Sequence, residues 1–254
     1  MKTGEFQNAQ RKIAGRTIWH YDAVESTNDT MKELLETEVS EGLVVWADRQ
    51  AAGKGRHGRS WASPPGGLYL SVLLRPKEAH AQILGLLAGM PLVKTLRHFG
   101  VFAVLKWPND AIFQGRKLAG ILSEGVYRKD TYHVVLGVGI NTNLDLERLP
   151  PDVQKRATSL KREVNLFVAN EECLEYFLEQ LDDVYSRYRH TPTPLMMKEY
   201  RGACGTIGKQ VSVQTPEGKI VGKAFDVTAA GALVVLDEHE KRHEIVDGTV
   251  EYLA

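Results

Sequence analysis

The stretch from Gln50 to Trp61, QAAGKGRHGRSW, restricts the folds open to this chain more than any other. Gly53, Gly55 and Gly58 follow an apolar run, GLVVWADRQ, in the GxGxxG spacing of dinucleotide-binding loops. That spacing works only where a helix starts at once and rests its N-terminus on a pyrophosphate. Here Ser63-Pro64-Pro65-Gly66-Gly67 follows, and such a run makes no helix. A dinucleotide fold is excluded. A protein-kinase loop is excluded too, because no HRD or DFG triplet occurs, and there is no Walker A sequence. What remains is a glycine loop carrying Lys54, Arg56, His57 and Arg59, with no acidic residue inside it.

The formal net charge of the whole chain is +0, so this basic character is local. Balanced charge argues against a nucleic-acid coat or a membrane-surface protein. At 254 residues the chain suits one large domain, or one domain with a small satellite, and can bury roughly 70% of its unfolded surface without a metal or disulfide. Cys173 and Cys204 form no CxxC pair and read as buried free thiols of a reducing compartment. The N-terminus lacks the apolar segment of a signal peptide, and the run ILGLLAGMPLV is too short to span a bilayer. The expectation is a cytoplasmic protein with no membrane partner.

Along the chain, residues 1–15 read as a polar, disordered tail. RTIWHYDAVES reads as a strand, then STNDTMKELLETE as a helix, with Thr30 and Glu33 at capping-box spacing. GLVVWADRQ and LYLSVLLRP read as strands flanking the basic loop. Residues 78–99 read as helix with a kink or break at Pro91. VFAVLKWP, KLAGILSEGVY and TYHVVLGVGIN read as three neighbouring strands, the last two joined across Lys129-Asp130. Residues 144–168 read as irregular. ANEECLEYFLEQLDDVYSRYRH has helical spacing, and TPTP breaks it. From Gly205 short strands and turns indicate a small β-barrel, RHEIVDGTVEYL being one strand. The division expected is a tail at 1–15, a catalytic unit at 16–204 and a barrel at 205–254. His239-Glu240-Lys241-Arg242-His243 has the letters of the zinc motif HExxH, but that chemistry needs a helix, and a solvated turn between strands is expected here. No metal site is expected.

Four stretches carry chemistry. Ser26-Thr27-Asn28 sits at a strand-to-helix junction, where it can cap the helix and also touch a ligand. The basic loop lets backbone amides approach an anion that its cations neutralise. KWPNDAIFQGRKLAG supplies Lys106, Asn109, Asp110 and Lys117; GVGIN ends an apolar strand with Gly137, Gly139 and Asn141. Their convergence on one sheet points to one site.

GKGRHGRSW, KWPNDAIFQGRKLAG and GINTN resemble the signature blocks of the biotin protein ligases, and the likeness runs from about residue 16 to the C-terminus. It implies an α+β fold: a mixed or antiparallel sheet with flanking helices, as in class II aminoacyl-tRNA synthetases, followed by a C-terminal SH3-like barrel. It implies two substrates, biotin and ATP, with Mg2+ accompanying ATP. Biotin's carboxylate attacks the α-phosphate, giving biotinyl-5′-adenylate, and a lysine of a biotin carboxyl carrier protein then takes the acyl group. The basic loop would wrap two mutually repelling anions and exclude water.

By the same resemblance, Ser26, Thr27, Asn28 and Gln50 meet biotin, the neutral groups suiting its ureido ring. Gly53, Lys54, Gly55 and Arg56 form the biotin and adenylate loop. Arg59, Asn109 and Asn141 face the nucleotide, and Lys117 the carboxylate or phosphate. Trp61 stands near the adenine or simply in the core. Arg56, Lys117 and Asp110 are the catalytic set. Asp110 would orient or deprotonate the acceptor lysine, or else help hold Mg2+. Lys54 replaces the family's frequent arginine and loses its planar fork. About 15 residues before the first strand fall short of a helix-turn-helix, so neither DNA binding nor repression is expected. A homodimer is possible. The nearest alternative is a lipoate–protein ligase or octanoyl transferase; a non-catalytic barrel module is the other.

Overall fold

A computed structural model describes residues 1–128, 130–191 and 193–253, without the side chains of residues 79 and 80. Lys129 in the expected strand connection, Pro192 in the expected TPTP break and the terminal Ala254 lie outside the described residues.

One sheet holds eight strands: β1 Lys2–Gln7, β2 Thr17–Tyr21, β3 Leu43–Ala47, β4 Leu68–Leu74, β5 Val104–Lys106, β6 Asp110–Phe113, β7 Arg116–Arg128 and β8 Thr131–Ile140. Their order is β1-β2-β3-β4-β8-β7-β6-β5. Only β2 and β3 run parallel among them, and that pairing needs a crossover, which α1 (Thr27–Leu34) provides. Elsewhere the neighbours are antiparallel. The three strands expected to be neighbours are separated by one: β6 lies between β5 and β7. Asp110 to Phe113 was hidden because four residues inside a turn-rich stretch show too little alternation.

The sheet is covered on both faces, so β3 and β4 are buried along their whole length. Leu68, Leu70, Val72 and Leu74 of β4, with Val134, Leu136, Val138 and Ile140 of β8, point into the main core. There they meet Leu174, Phe177, Leu178 and Leu181 from one stripe of a long helix. The intervening helices are short: α2 Glu78–Ala81, α3 Leu84–Leu87, α4 Gly89–His98, α5 Pro151–Gln154 and α6 Leu160–Val164. The long helix, α7, spans Asn170–Tyr188, and α8 spans Thr193–Ala203. Pro91 does not break its helix. The break falls before Gly89, and Pro91 lies in the first turn of α4, where a missing N–H costs nothing. Residues 144–168 are more ordered than expected: α5 starts on Pro151 and α6 is capped by Ser159.

A second, antiparallel sheet of SH3-like type comes next: β9 Gln210–Thr215, β10 Gly218–Val227, β11 Leu233–Leu236, β12 Arg242–Ile245 and β13 Thr249–Tyr252, ordered β12-β11-β10-β9-β13. The single strand expected over RHEIVDGTVEYL is two, at opposite edges, because Asp247-Gly248 turns the chain between them. Trp107 ties the two sheets together. It is 1% exposed, its backbone N–H donates to Thr206 Oγ1 (3.0 Å) and its Nε1 donates to Gly231 O (3.0 Å).

The tail expected to be disordered is structured. Lys2–Gln7 adds to the edge of β2 as a strand exposed along nearly all its length, so it shows no apolar period. The turn between β1 and β2 is pinned by a buried carboxylate on α7. Asp182 is 5% exposed and accepts the backbone N–H groups of Lys12 (2.6 Å), Ile13 (2.7 Å) and Ala14 (2.9 Å). Replacing Asp182 by Ala strands these three donors. We expect a loss of about 3 kcal/mol, read as a lower urea midpoint at unchanged m-value.

Candidate active site

Period two along β7 and β8 builds the floor of a cavity. Residues facing the core are apolar; the opposite face carries Gly120 on β7 and Gly137 and Gly139 on β8, with Gly120 directly across from Gly139. The glycines admit other groups. A Cβ on Gly137 would collide with Asn28 Oδ1, and one on Gly139 would fall 2.6 Å from Trp61 Nε1. Trp61 therefore lies on the sheet as cavity wall, half-buried; of the two roles open to it, it is not a core residue. Its Nε1 is buried with no hydrogen-bond partner among the described residues.

The inner end is neutral. Ser26, not Thr30, caps α1, accepting from the Asp29 N–H at 3.5 Å; Thr30 lies inside the helix. Thr27 donates its backbone N–H to Gln50 Oε1 (2.8 Å), and Gln50 Nε2 donates to Ser63 Oγ (2.8 Å). Asn28 lines the cavity, but its amide is engaged by protein on both sides, at Glu124 and at Ser71. Gly53 packs on Trp61 O and Ser63 Oγ, leaving no room for a side chain.

The middle is cationic. Lys117 Nζ lies 2.6 Å from an Asp110 carboxylate oxygen and 4.7 Å from the centre of the Trp61 ring. Lys106 Nζ lies over Tyr252 at 5.1 Å. Burial lowers the Lys106 pKa, with Asp110 pulling it back up and Lys117 adding to the depression. Asn109 Nδ2 donates to Ile121 O (2.9 Å), leaving its Oδ1 3.4 Å from Arg56. Asn141 is buried and donates to Thr158 O (2.9 Å), which fixes the segment after residue 144 as a side wall.

The basic loop is a tight hairpin over this cavity. Trp61 N donates to Gly53 O (2.8 Å) and Gly55 N to Arg59 O (2.7 Å), with His57 (φ 56°) and Gly58 (φ 69°) left-handed at the tip. Each cation of the loop has a fixed partner. Lys54 meets Asp29 at 2.6 Å, and that bond raises its pKa. Arg56 pairs with Asp247, and His57 stands 3.6 Å from the same carboxylate. Arg59 donates to Thr249 Oγ1 (2.8 Å). Burial lowers the Arg56 pKa, Asp110 opposes this and Arg59 adds to it.

Two of these partners come from the second sheet, whose Gly248 to Glu251 also line the cavity. Sequence reasoning missed Asp247, Thr249 and Glu251, although the Asp-Gly pair at 247–248 was a turn signal. It also missed Ser71 and Glu124, polar residues in strands with no motif around them. The HExxH letters form a turn between β11 and β12: Asp237 accepts the N–H groups of His239 (2.9 Å) and Lys241 (3.0 Å) and pairs with His243 Nε2 (2.7 Å). The His243 contact is the main reason its carboxyl is held down at about 2. Among the described residues no group of three His, Cys, Asp or Glu could hold a metal ion, and no helix is long and apolar enough to cross a membrane.

A neutral, hydrogen-bonding recess that opens into a cationic chamber with an aromatic wall suits a molecule with a polar neutral head, an anionic tail and a nucleotide beside it. The comparisons agree with that shape. Residues 20–141 match the Biotin/lipoate A/B protein ligase family, and residues 206–252 match the Biotin protein ligase C terminal domain. The chain is 35% identical over 238 residues to the biotin--[acetyl-CoA-carboxylase] ligase of Mycobacterium tuberculosis, covering 87% of this chain and 84% of that protein. It is 31% identical over 248 residues to the bifunctional ligase/repressor BirA of Bacillus subtilis, covering 94% and 75%. The biotin protein ligase of Aquifex aeolicus, solved in complex with biotin and ATP, superposes with a TM-score of 0.80 at 31% identity, over 93% of this chain and 98% of that one. With both halves matched and the cavity built at their junction, the chain belongs to the biotin protein ligase family.

Proposed function

We propose that this enzyme joins biotin to a lysine of a biotin carboxyl carrier domain in two steps, using ATP. A biotin carboxylate oxygen attacks the α-phosphorus, the bond to the β-phosphate breaks and pyrophosphate leaves. The lysine amine then attacks the acyl carbon, the bond to AMP breaks and the amine loses a proton. The observation that carries this reading is the continuity of the neutral recess at Thr27 and Gln50 with the cationic chamber at Lys117, Lys106 and Arg56 in one cavity. A ureido head in the recess brings its carboxylate tail toward Lys117.

Ser26, Thr27, Asn28 and Gln50 shape the recess, and Gly53, Lys54 and Gly55 close it. Arg56 and Arg59 neutralise the phosphates in a site shielded from water, where such contacts count for more. Trp61, Asn109 and Asn141 form the nucleotide side. Lys117 is paired with Asp110 before substrate arrives. An incoming anion competes for that ammonium, which frees Asp110 to orient the acceptor lysine. Mg2+ enters with the phosphates of ATP, and Asp110 and Glu251 are the carboxylates that line the chamber among the described residues. A carrier domain is thus a transient partner, and the cytoplasm, where ATP and carboxylases meet, the proposed location. A homodimer is part of the proposal: beyond Ile121, whose backbone groups are taken by Asn109, the outer edge of β7 has no neighbouring strand among the described residues. The unit boundary at 204/205 is also proposed, although the core crosses it.

Biotin-dependent exchange of pyrophosphate into ATP tests the first step. Exchange with lipoate alone would establish the lipoate ligase reading instead, and exchange with neither would leave a non-catalytic module. Replacing Arg56 and Arg59 together by alanine is expected to lower exchange about 100-fold or more. Asp110→Asn is expected to leave exchange nearly intact and slow transfer to the carrier by about 100-fold, measured by avidin blot over time. Normal transfer by that variant would remove Asp110 from the second step.

A further inference from the structure

Thr27, Asn28, Ser71 and Glu124 form one chain of hydrogen bonds beneath the inner recess. Thr27 and Asn28 line the cavity; Ser71 and Glu124 stand behind its wall. The direction of every bond in the chain is set from its far end. The Glu124 carboxylate can only accept, and Lys32 Nζ, 2.7 Å from Oε1, balances its charge. Asn28 must therefore turn its NH2 group to Glu124 Oε2, at 2.6 Å, with the Leu122 carbonyl a longer second acceptor at 3.4 Å. Asn28 Oδ1 then faces Ser71 Oγ at 2.5 Å and takes the one proton that Ser71 owns.

Ser71 has no proton left for Thr27 Oγ1, 2.8 Å away. With Ser71 committed to Asn28, the Thr27 hydroxyl proton has two acceptors inside the protein, Ser71 Oγ and Gln50 Oε1, the latter 3.2 Å away. With its proton on either of them, Thr27 presents only lone pairs to the cavity. Gln50 is set by similar logic. Ser63 Oγ donates to Trp61 O (3.0 Å), so it can only accept from Gln50 Nε2, which leaves Gln50 Oε1 on the Thr27 side.

We infer that Glu124 is a positioning residue that sets the hydrogen-bond polarity of the recess: acting through Asn28 and Ser71, it draws the Thr27 proton inward, so that Thr27 faces the cavity as an acceptor and selects ligands that bring N–H donors to that end. This rests on the reading of the recess as the ureido site. An acceptor wall rejects a ligand that replaces an N–H by an oxygen, because two lone pairs are then set against each other.

The test is a ratio of affinities by calorimetry. Biotin is compared with analogues in which one or the other ureido N–H is replaced by a ring oxygen, and with desthiobiotin, which keeps the urea and loses the sulfur. In Glu124→Gln the side-chain amide can donate as well as accept, so Asn28 is held only by its longer contact to the Leu122 carbonyl, can flip, and the chain loses its direction. We expect the preference for biotin over the more strongly rejected oxygen analogue to fall about tenfold or more, with the preference over desthiobiotin unchanged. Adding Asn28→Asp returns an acceptor-only group to the chain and is expected to restore the preference. Each ratio is taken within one variant, so any loss of folded protein cancels. An unchanged ratio in Glu124→Gln, an equal fall for both kinds of analogue, or a double variant no better than the single one would overturn the role of Glu124. A native chain that binds no biotin at all would instead overturn the ligase reading on which it rests.

Discussion

Side chains alternate across a β-strand, and on β7 and β8 one of the two alternating sets is partly missing. The faces that meet α7 are filled with leucine, isoleucine, valine and alanine, which closes the main core. The opposite faces carry Gly120, Gly137 and Gly139, which leaves a hollow where a second layer of packing would otherwise stand. Each element of the site borrows that space. Asn28 comes down on one glycine and Trp61 on another, at distances no other residue permits. The same two strands therefore stabilise the domain with one face and make room for substrate with the other.

The charge arrangement is a consequence of that hollow. A cavity floored by backbone and roofed by a cationic hairpin would repel itself if its cations stood alone. They do not: Lys54 rests on Asp29, Arg56 on Asp247, and Lys117 on Asp110. Such pairs half-exposed to water contribute little to stability, but they hold long side chains near their working positions. Under the proposed function, an arriving polyanion would exchange partners with cations already in place, which would lower the ordering cost of binding.

Much of this was legible in the letters. The long strands, the long helix α7 and the small terminal sheet showed their period or their turns, because burial on one face enforces both. Lys54, Gly55, Arg56 and Arg59 of the glycine loop line one cavity with the KWPND turn and with Gly137, Gly139 and Asn141, while Gly53 lies outside its lining. Less legible were features whose cause is tertiary. β1 is polar because an edge strand need not bury a face, so nothing marked it as a strand. Asp182 looks like one more acid on a charged helix; only its three backbone partners reveal a clamp. Asp247 and Thr249 belong to the far sheet, and no pattern within residues 205–254 shows that their turn faces a loop some 190 positions earlier.

That turn makes the terminal sheet more than an appendage. Asp247 and Thr249 grip the two arginines of the basic loop, and Trp107 locks the sheet's base to the KWPND hairpin. Coupling between sites is reciprocal. A ligand that draws Arg56 away from Asp247 would act on the turn that holds it, and a ligand that shifts that turn would act on Arg56 to the same extent. The far sheet is thus part of the frame that holds the two loop arginines in place.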